Sequence, residues 1–470
     1  MTPPRIKHSH AICLAAVLLA GAPPVVSAQN TPEMREIISR LERLEQENQA
    51  LVREVQALRE EVAGLKAPSA GAQTAASPTS SSEPRPAAPE PEDTMENAAV
   101  NRARIDELAQ TKVESSQKFP LRITGMVLFN AFVNGRNNGD LQNPLVAAPG
   151  TQVGGGSVAQ TTLGLLYNGP QTFAGGKVTG SLYMDFFGGS ESSYSLGDLF
   201  RIRTANIGLN WTNTSLSFGQ DKPIISPRDP DSLAQVGYSP LTAAGNLWIW
   251  QPQIRLEQRV PLSNDDGLKI QAGVFQTSSP NLQPSNAHLY EPEQSRPGAE
   301  GRLEYWHRWS ETGRFEIAGG IHYNRNHLAG SSLPSDVYSL DFLFRPFEKL
   351  EFTGMFFHGR NVQVLGALPG FYVLPNGPAF PVRSNGGWAQ LKLPITSRLA
   401  FNIYGGEQGN RDSDLFHGNI ATNAAYFSNF MYRIAPNVMV SLEGGQVRTA
   451  YYRSGNRIND HYDLAIGYLF

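Results

Sequence analysis

From residue 119 to residue 470 the sequence alternates apolar and polar side chains, a pattern that suits extended strands. Successive side chains of a strand point to opposite faces. In the last such stretch one face carries Tyr462, Leu464 and Ile466, whereas the other carries His461 and Asp463. A soluble sheet buries its apolar face in a core, but a membrane barrel turns that face toward lipid and places aromatic residues at the water boundary. The alternation therefore predicts the strands of a membrane barrel.

Sixteen alternating stretches can be identified in this part of the sequence. They lie near residues 121–133, 158–168, 176–187, 200–211, 214–221, 247–260, 268–277, 299–309, 314–324, 336–346, 350–360, 385–393, 398–408, 420–433, 437–449 and 460–470. An even number of strands places both ends of a barrel on the same side of the membrane. Fourteen and eighteen strands are the alternative counts. The last stretch is expected to pair with the first, because closure removes both free sheet edges.

The lengths of the connections support this count independently. Connections after even-numbered stretches are short, as in Trp211-Thr212-Asn213 and Ala435-Pro436. Several connections after odd-numbered stretches are long, among them Asn134 to Ser157 and Lys222 to Asn246. Short turns on one side and long loops on the other are typical of outer-membrane barrels. We therefore predict that residues 119–470 form an all-β transmembrane barrel of about 16 antiparallel strands.

Residues 1–28 are predicted to be a secretory signal peptide. A basic segment precedes the apolar run from Ala11 to Ala22, which is too short to span a membrane, and Val26-Ser27-Ala28 supplies small residues for cleavage. The sequence has 1 cysteine, within this run, so no disulfide is expected in the exported part. The formal net charge is −3, which gives no basic excess for binding nucleic acid. Residues 119–470 contain equal numbers of acidic and basic residues, so any charge selectivity must come from their positions.

Residues 29–66 contain a heptad repeat that predicts an α-helical, parallel coiled coil. The repeat runs from Met34 to Lys66, with apolar residues at its a and d positions. The core positions are Ile37, Leu41, Leu44, Asn48, Leu51, Val55, Leu58, Val62 and Leu65. Valine at a with leucine at d favours two helices, and the buried asparagine fixes their register.

Two connecting segments separate the coiled coil from the barrel. Residues 67–93 are rich in proline, alanine, serine and glutamate, which is typical of a linker that forms no core. Residues 94–118 are predicted to form a short helix or connector at or inside the barrel mouth. The coiled coil would span about 50 Å at about 1.5 Å per residue, so the arm is expected to reach into the periplasm.

The long connection after the fifth stretch contains the first candidate residues of a constriction. Its several prolines are expected to stiffen it. Its charged residues include Lys222, Arg228, Asp229 and Asp231. If this loop folds into the lumen, these side chains narrow the channel and face passing solutes.

Two strands beside this loop carry charged side chains on the face opposite the apolar one. On the sixth stretch these are Arg255, Glu257 and Arg259, and on the eighth they are Arg302, Glu304 and Arg308. We expect them in the lumen, because a charge on the lipid face costs about 2–4 kcal/mol at mid-depth. Arginines in the lumen favour anions, since guanidinium binds carboxylate and phosphate in a bidentate manner. The alternative is that these charges pair with one another and only brace the wall.

Arg201 and Arg203 in the fourth stretch do not fit this simple alternation. Their parity matches that of Ile207 and Leu209, which are expected to face lipid. Either a β-bulge shifts the alternation by one residue, or both arginines lie near a rim. Both are included among the predicted pore-lining residues.

The order of signal peptide, coiled coil, linker and sixteen-strand barrel resembles that of the trimeric DcaP-like porins and, more distantly, that of the phosphate-selective porins. The shared short sequences are Arg201-Ile202-Arg203, Phe218-Gly219-Gln220 before the long loop, and Tyr468-Leu469-Phe470. In the last of these, Tyr468 and Phe470 resemble the assembly signal of outer-membrane proteins. The resemblance implies a third loop that folds into the lumen, a homotrimer in outer-membrane lipids and insertion by the barrel assembly machinery.

The same resemblance implies passive uptake of small hydrophilic solutes, often anions such as dicarboxylates, without a cofactor. The heptads favour a dimer whereas the porin resemblance favours a trimer, and the sequence lacks the lysine ladder of phosphate-selective porins. A second class of function is structural, with the arm contacting the cell wall and the barrel serving as its anchor. An enzyme is not expected, because the 9 histidines are scattered without an obvious set of partners. No metal site is predicted, because His322 and His327 lack a carboxylate framework in the sequence.

Overall fold

The computed structural model describes residues 120–188, 198–276, 297–328, 331–374 and 378–470, whose regular structure is almost entirely β. In these ranges no helix is long and apolar enough to cross a membrane. A single sheet contains 17 strands, joined in antiparallel pairs. Two of them, Val153–Ser157 and Thr162–Gln171, follow one another along the first strand and make one strand of the wall. The wall therefore has sixteen strands, as the sequence predicts.

We number the wall strands in chain order. They are β1 (Leu121–Asn134), β2 (Val153–Ser157 with Thr162–Gln171), β3 (Lys177–Asp185), β4 (Arg201–Asn210), β5 (Thr214–Asp221), β6 (Gln251–Pro261), β7 (Asp266–Phe275), β8 (Gly298–Arg308), β9 (Arg314–Leu328), β10 (Ser331–Phe347), β11 (Leu350–Arg360), β12 (Arg383–Pro394), β13 (Leu399–Asn410), β14 (Ile420–Ala435), β15 (Val438–Tyr451) and β16 (Gly455–Leu469). A small hairpin, Phe371–Val373 with Ala379–Pro381, lies in the loop after β11. Short 3-10 turns occupy Phe173–Gly175, Val362–Leu365 and Asp412–Asp414.

The barrel closes between β1 and β16. Their register holds over nine consecutive residue pairs, beginning with Met126 opposite Leu469. Just beyond, Gly125 and Phe470 exchange two backbone hydrogen bonds of 3.0 and 3.1 Å. A Cβ at Gly125 would collide with the backbone carbonyl of Thr162 and also meet the Phe470 ring, so this crossing requires glycine. The pairing of the last strand with the first is confirmed, and it leaves the wall without a free edge.

The two faces of the wall differ as the alternation predicts. On β1, Ile123 is 62% exposed and faces outward, whereas Leu128 is fully buried and points into the barrel. On β16, Tyr462 and Ile466 are exposed, and His461, on the opposite face, is buried. Outward side chains are apolar or aromatic along most of each strand, which is the character expected of a lipid-facing surface.

Short turns join the strands at one rim, and most connections at the other rim are longer loops. The turn after β4 has three residues and the turn after β14 has two, whereas the loops after β1, β5 and β11 span residues 135–152, 222–250 and 361–382. The predicted start of the sixth strand is wrong, because residues 247–250 belong to the loop. Trp248 donates its amide to the carbonyl of Leu365, in another loop, at 2.9 Å instead of to the sheet.

The second strand also differs from the prediction, because it begins earlier, at Val153, and is interrupted. Residues 158–161, expected to start it, form the break between its two pieces. The side-chain oxygen of Thr161 accepts a hydrogen bond from the amide of Leu128 at 3.1 Å. At this point a side chain thus replaces the backbone carbonyl that would pair with β1 in a regular sheet. The break lets Gln160 turn its side chain away from the ladder and toward the lumen, where it contacts a loop.

A β-bulge in β4 resolves the parity of its arginines. Tyr183 and Met184 are consecutive on β3, but the residues opposite them on β4 are Thr204 and Ile202. Arg203 between these two has no pairing partner, and the extra residue shifts the alternation by one. Ile202 is 50% exposed on the outer face, and its two arginine neighbours turn inward. The bulge that the sequence offered as one of two explanations is present.

Four predicted segments lie outside the described residues. They are the signal peptide (1–28), the coiled coil (29–66), the linker (67–93) and the short helix or connector (94–118). The barrel, predicted from residue 119, is described from residue 120 onward.

Deleting Phe470 is expected to reduce the yield of assembled barrels and to leave the conductance of those that assemble unchanged. The deletion removes both backbone hydrogen bonds to Gly125 and the adjacent ring, and no residue of the lumen is altered. Heat-modifiable migration on semi-native gels measures the folded fraction, and single-channel recording measures conductance. Phe470→Tyr is the matched control, because it keeps the backbone pair and an aromatic ring. Normal assembly of the deletion variant would contradict the assembly role of this residue.

Candidate constriction site in the barrel lumen

Residues 222–250, here called the crossing loop, lie inside the barrel and contact the inner wall at several strands. Near the start of the loop, the amide of Ile224 donates to Glu300 of β8 at 2.5 Å. The next carbonyl, that of Ile225, accepts from Ser339 of β10 at 3.0 Å. Further along, Ser232 donates to Glu443 of β15 at 2.8 Å. The third loop therefore folds into the lumen, as the sequence predicts.

The second half of the crossing loop contacts the remaining side of the wall. The carbonyl of Leu233 accepts from Asn130 of β1 at 2.9 Å. Gln160, in the break of β2, donates to the carbonyl of Ala234 at 2.7 Å and accepts from the amide of Gly237 at 2.8 Å. The loop thus follows the inside of the wall most of the way round before it joins β6. Contacts with strands far apart in the sheet fix its position.

An apolar core fills one side of the lumen. It joins the crossing loop to loops 135–152 and 361–382 and to inward side chains of β10 to β15. Its members are Ala147, Ile225, Leu241, Ala244, Leu247, Val337, Met355, Phe357, Val362, Val364, Leu365, Ala367, Trp388, Tyr404, Ala425, Phe427 and Val447. A Cβ added at Gly406 of β13 would meet the carbonyl of Ala244, so glycine permits this close backbone contact. This side of the lumen is therefore closed by apolar packing.

A charged network anchors the crossing loop on the other side. It comprises Arg228 of the loop with Lys269, Arg302, Glu304, Glu316 and Asp341 of β7 to β10. Arg302 is buried and donates to both oxygens of Asp341 at 2.8 Å. Arg228 reaches the same carboxylate at 3.2 Å and also pairs with Glu316. Arg314 of β9 also approaches Glu316, at 3.5 Å, so four basic and three acidic groups meet here.

The remaining charges of the crossing loop are also paired. Lys222 pairs with Asp229 inside the loop. Asp231 pairs with Lys392 of β12 at 2.9 Å, and these two side chains are 41% and 32% exposed. All four predicted loop residues therefore lie inside the barrel, and each has a counter-charge. Their role in permeation stays a prediction.

The predicted residues of β6 and β8 divide between the lumen and the rim of short turns. Arg255 donates to a carbonyl at the start of the crossing loop at 2.6 Å and so supports the loop. Glu257 pairs with Arg259 at 3.1 Å, and the Arg259 side chain is 64% exposed. Arg308 is exposed at the end of its strand. Arg259 and Arg308 thus lie away from Arg302 and Glu304, which belong to the charged network.

Arg201 and Arg203, here called the arginine pair, share one buried aspartate, Asp185 of β3. Arg201 binds both oxygens of Asp185, at 3.1 Å from Nε and 2.7 Å from Nη2. Arg203 approaches it only to 3.7 Å, and its Nη1 is buried without a hydrogen-bond partner among the described residues. The Arg203 guanidinium lies over the Trp250 ring, 4.8 Å from its centroid. Two cations therefore face one carboxylate.

Several residues of the lumen were not identified from the sequence. Asp185 and Asp341 compensate the predicted arginines, and Trp250 was assigned to a strand although it ends the crossing loop. Glu443 and Asp463 lie directly opposite each other on β15 and β16, each 4% exposed. Strand alternation places such residues on the inner face, but it does not show which of them meet across the lumen.

The histidines differ from expectation in one respect. Nδ1 of His322 lies 2.9 Å from Glu300, which is its cross-strand partner on β8, so a carboxylate does stand beside it. The sequence did not reveal this contact because strand pairing joins residues 22 positions apart. Glu300 also accepts the amide of Ile224, so the pair positions the crossing loop. The described part of the chain has no group of three or more side chains that could hold a metal ion.

At the rim of long loops, Arg383 of β12 holds Asp414, from the loop after β13. The Nε atom of Arg383 donates to Asp414 at 2.7 Å, and these hydrogen bonds hold the pKa of that carboxyl below its usual value. A lowered carboxyl pKa stabilises the folded chain above the usual value, and the effect is lost as pH falls through the lowered one. The loop is therefore expected to keep this attachment in mildly acidic solution.

No protein-family model matches the sequence, and no curated protein matches it. Solved structures do match. The outer membrane channel DcaP of Acinetobacter baumannii superposes with a TM-score of 0.59 at 16% identity, over 74% of this chain and 97% of that chain. The anion-selective porin from Comamonas acidovorans superposes with a TM-score of 0.51 at 12% identity, over 74% of this chain and 99% of that chain. The chain has the barrel fold of outer-membrane porins.

Replacing Arg228 by glutamine is expected to loosen the crossing loop and to shift permeability toward cations. The substitution removes the cation that links the loop to Asp341 and Glu316, and each charge-assisted hydrogen bond contributes about 1.5–3 kcal/mol. Single-channel conductance should rise and the reversal potential should move in the cation direction. Arg259→Gln is the matched control, because it removes the same charge from an exposed position at the rim. Unchanged conductance and selectivity in Arg228→Gln would show that this residue does not hold the constriction.

Proposed function

We propose that this chain forms a water-filled pore in the bacterial outer membrane, through which small hydrophilic solutes diffuse passively. The exposed apolar face of a closed sixteen-strand barrel supports insertion into lipid. The polar inner face and the crossing loop support a lumen that is wet and narrowed on one side. The proposed assembly is a homotrimer with a periplasmic N-terminal arm, inserted by the barrel assembly machinery, in line with the resemblance to trimeric DcaP-like porins.

The pore is proposed to favour anions weakly. The observation that carries this proposal is the arginine pair, whose two side chains are 22% and 21% exposed while their shared aspartate is fully buried. The charges of the crossing loop cancel in pairs, and Glu443 and Asp463 expose little surface to a passing solute and accept hydrogen bonds from neighbouring side chains. A surplus cation in a confined lumen raises the local concentration of anions. One of the two similar structures is that of a porin described as anion-selective, which agrees with this proposal.

Reversal potentials of the purified protein in planar bilayers under a KCl gradient test the sign of this preference. Chloride is expected to be more permeant than potassium. The preference should shrink with added salt, because the Debye length falls from about 10 Å at 0.1 M to about 3 Å at 1 M. Arg308→Gln, at the rim, is a control that should leave the reversal potential nearly unchanged. A clear preference for potassium would contradict the proposal.

The heptad repeat within residues 29–66 supports a second candidate function, a structural one. In this alternative the arm contacts the cell wall and the barrel anchors it in the outer membrane. A coiled coil on a proline-rich linker has the reach for such a contact, since its length alone is about 50 Å. The same arm serves the pore proposal by holding protomers together, so the two functions differ in what the arm does.

Deleting residues 34–66 separates the two functions. If the arm holds pore protomers together, the deletion should lower the trimer fraction and the uptake of solutes. Loss of envelope integrity with unchanged conductance and uptake would instead support the tether. Deleting residues 67–93 is the control, because it shortens the arm while keeping every heptad. The readouts are the trimer fraction on semi-native gels, the uptake of solutes, single-channel conductance and the detergent sensitivity of the cells.

A further inference from the structure

We infer that Arg203 and Trp250 form a binding subsite for the carboxylate of a small aromatic acid that passes through the lumen. The inference rests on the proposed function, because a solute reaches this place only through the pore. It adds a preference for one class of anion to a general preference for negative charge. Both residues lie outside the balanced charge pairs that fix the crossing loop.

Arg203 has hydrogen-bonding capacity that the protein does not use. Arg201 occupies both oxygens of Asp185 and also donates to the carbonyl of Gly237 at 2.5 Å. Arg203 is left 3.7 Å from the carboxylate, and its side chain is 21% exposed. A guanidinium presents a planar fork of donors that matches a carboxylate, and an unpaired buried donor costs free energy. A solute carboxylate would bind the exposed part of this fork, while Nη1 itself is covered.

A cluster of aromatic rings begins beside this guanidinium. Trp250 lies beneath both arginines, with its ring centroid 4.8 Å from Arg203 and 5.2 Å from Arg201. Edge-on contacts continue from Trp250 to Trp248 at 5.1 Å and from Trp248 to Tyr238 at 5.4 Å. Trp250 and Tyr238 are only half-buried, so part of each ring faces open space. An aromatic solute gains ring contacts here of about 0.5–1.5 kcal/mol that an aliphatic acid lacks.

The charge of the subsite favours a solute with a single negative charge. Two arginines and one aspartate leave a surplus of one positive charge. Lys222 of the crossing loop is already paired with Asp229 and supplies no second free cation. A second carboxylate, or the second charge of phosphate, would therefore lack a counter-charge and would be repelled by Asp185. A benzoate-like acid fits the subsite better than inorganic phosphate or an aliphatic diacid.

Blockade of the ion current in planar bilayers tests the subsite with the full-length assembled protein. Benzoate, cyclohexanecarboxylate and inorganic phosphate are added separately in KCl, and current interruptions are titrated. The first two solutes share charge and approximate size but differ in aromaticity. Benzoate is expected to block saturably and to bind about 2- to 10-fold more tightly than cyclohexanecarboxylate, which corresponds to the ring contact. Phosphate is expected to bind more weakly than both.

Two variants test which residues bind benzoate and distinguish it from cyclohexanecarboxylate. Arg203→Gln should weaken benzoate binding by about tenfold or more, because a charge-assisted hydrogen bond is lost. Trp250→Leu should keep carboxylate binding but remove the difference between benzoate and cyclohexanecarboxylate. Arg259→Gln removes an arginine at the exposed rim and should change neither. Heat-modifiable migration verifies folding, and the comparison of solutes on the unaltered protein tests the inference without any substitution.

The outcomes separate the inference from the function on which it rests. An anion-preferring pore with equal affinity for benzoate and cyclohexanecarboxylate would overturn the inference and leave the proposed function standing. Tighter binding of phosphate than of benzoate, or full benzoate affinity in Arg203→Gln, would overturn it as well. A chain that inserts but forms no conducting pore would overturn the proposed function itself.

Discussion

Lipid offers no hydrogen-bond partner to a backbone amide, so a sheet that crosses a membrane must satisfy its own edges. The seam between β1 and β16 meets this requirement, and it continues to the hydrogen-bonded pair of Gly125 and Phe470. Once the sheet is closed, its two faces have opposite requirements. Ile123 is apolar and exposed on the outside, whereas Asn130 is buried inside and bonded to the crossing loop. The alternation that dominates the sequence is the consequence of closure.

A closed wall of sixteen strands encloses more space than its own inward side chains fill, and the loops occupy part of it. The crossing loop is held by two different means. On one side it packs in an apolar core, for which transfer from water supplies the stabilisation. On the other side a buried ion pair, Arg302 with Asp341, is completed by Gln271 at 2.9 Å. Such a pair is tolerated only when its hydrogen bonds are satisfied. The free lumen is consequently asymmetric.

The barrel was predictable because period-two alternation is local. Strand count and closure followed from it, whereas the inward course of the third loop was implied by the resemblance to porins. The errors lie where another contact replaces backbone hydrogen bonding between neighbouring strands. The amide of Trp248 donates to a carbonyl of another loop, and the side chain of Thr161 accepts a hydrogen bond from a backbone amide of the adjacent strand. Only the basic side chains of the candidate site were predictable, and their acidic partners were not. Alternation names inward arginines, but which carboxylate each one meets depends on pairing between distant strands, as Arg228 with Asp341 shows.

The surplus positive charge at Arg203 results from the register of the strands and not from composition, because the barrel part of the sequence has equal numbers of acidic and basic residues. In a regular strand the arginine pair would share the outward face with Ile207, which is 59% exposed. The bulge in β4 turns both arginines inward and leaves Arg203 without a partner strand residue. Arg201 lies directly opposite Asp185 on the neighbouring strand and donates to both carboxylate oxygens. A single inserted residue thus converts a balanced composition into a local cation beside Trp250, so the proposed anion preference depends on the register of β4.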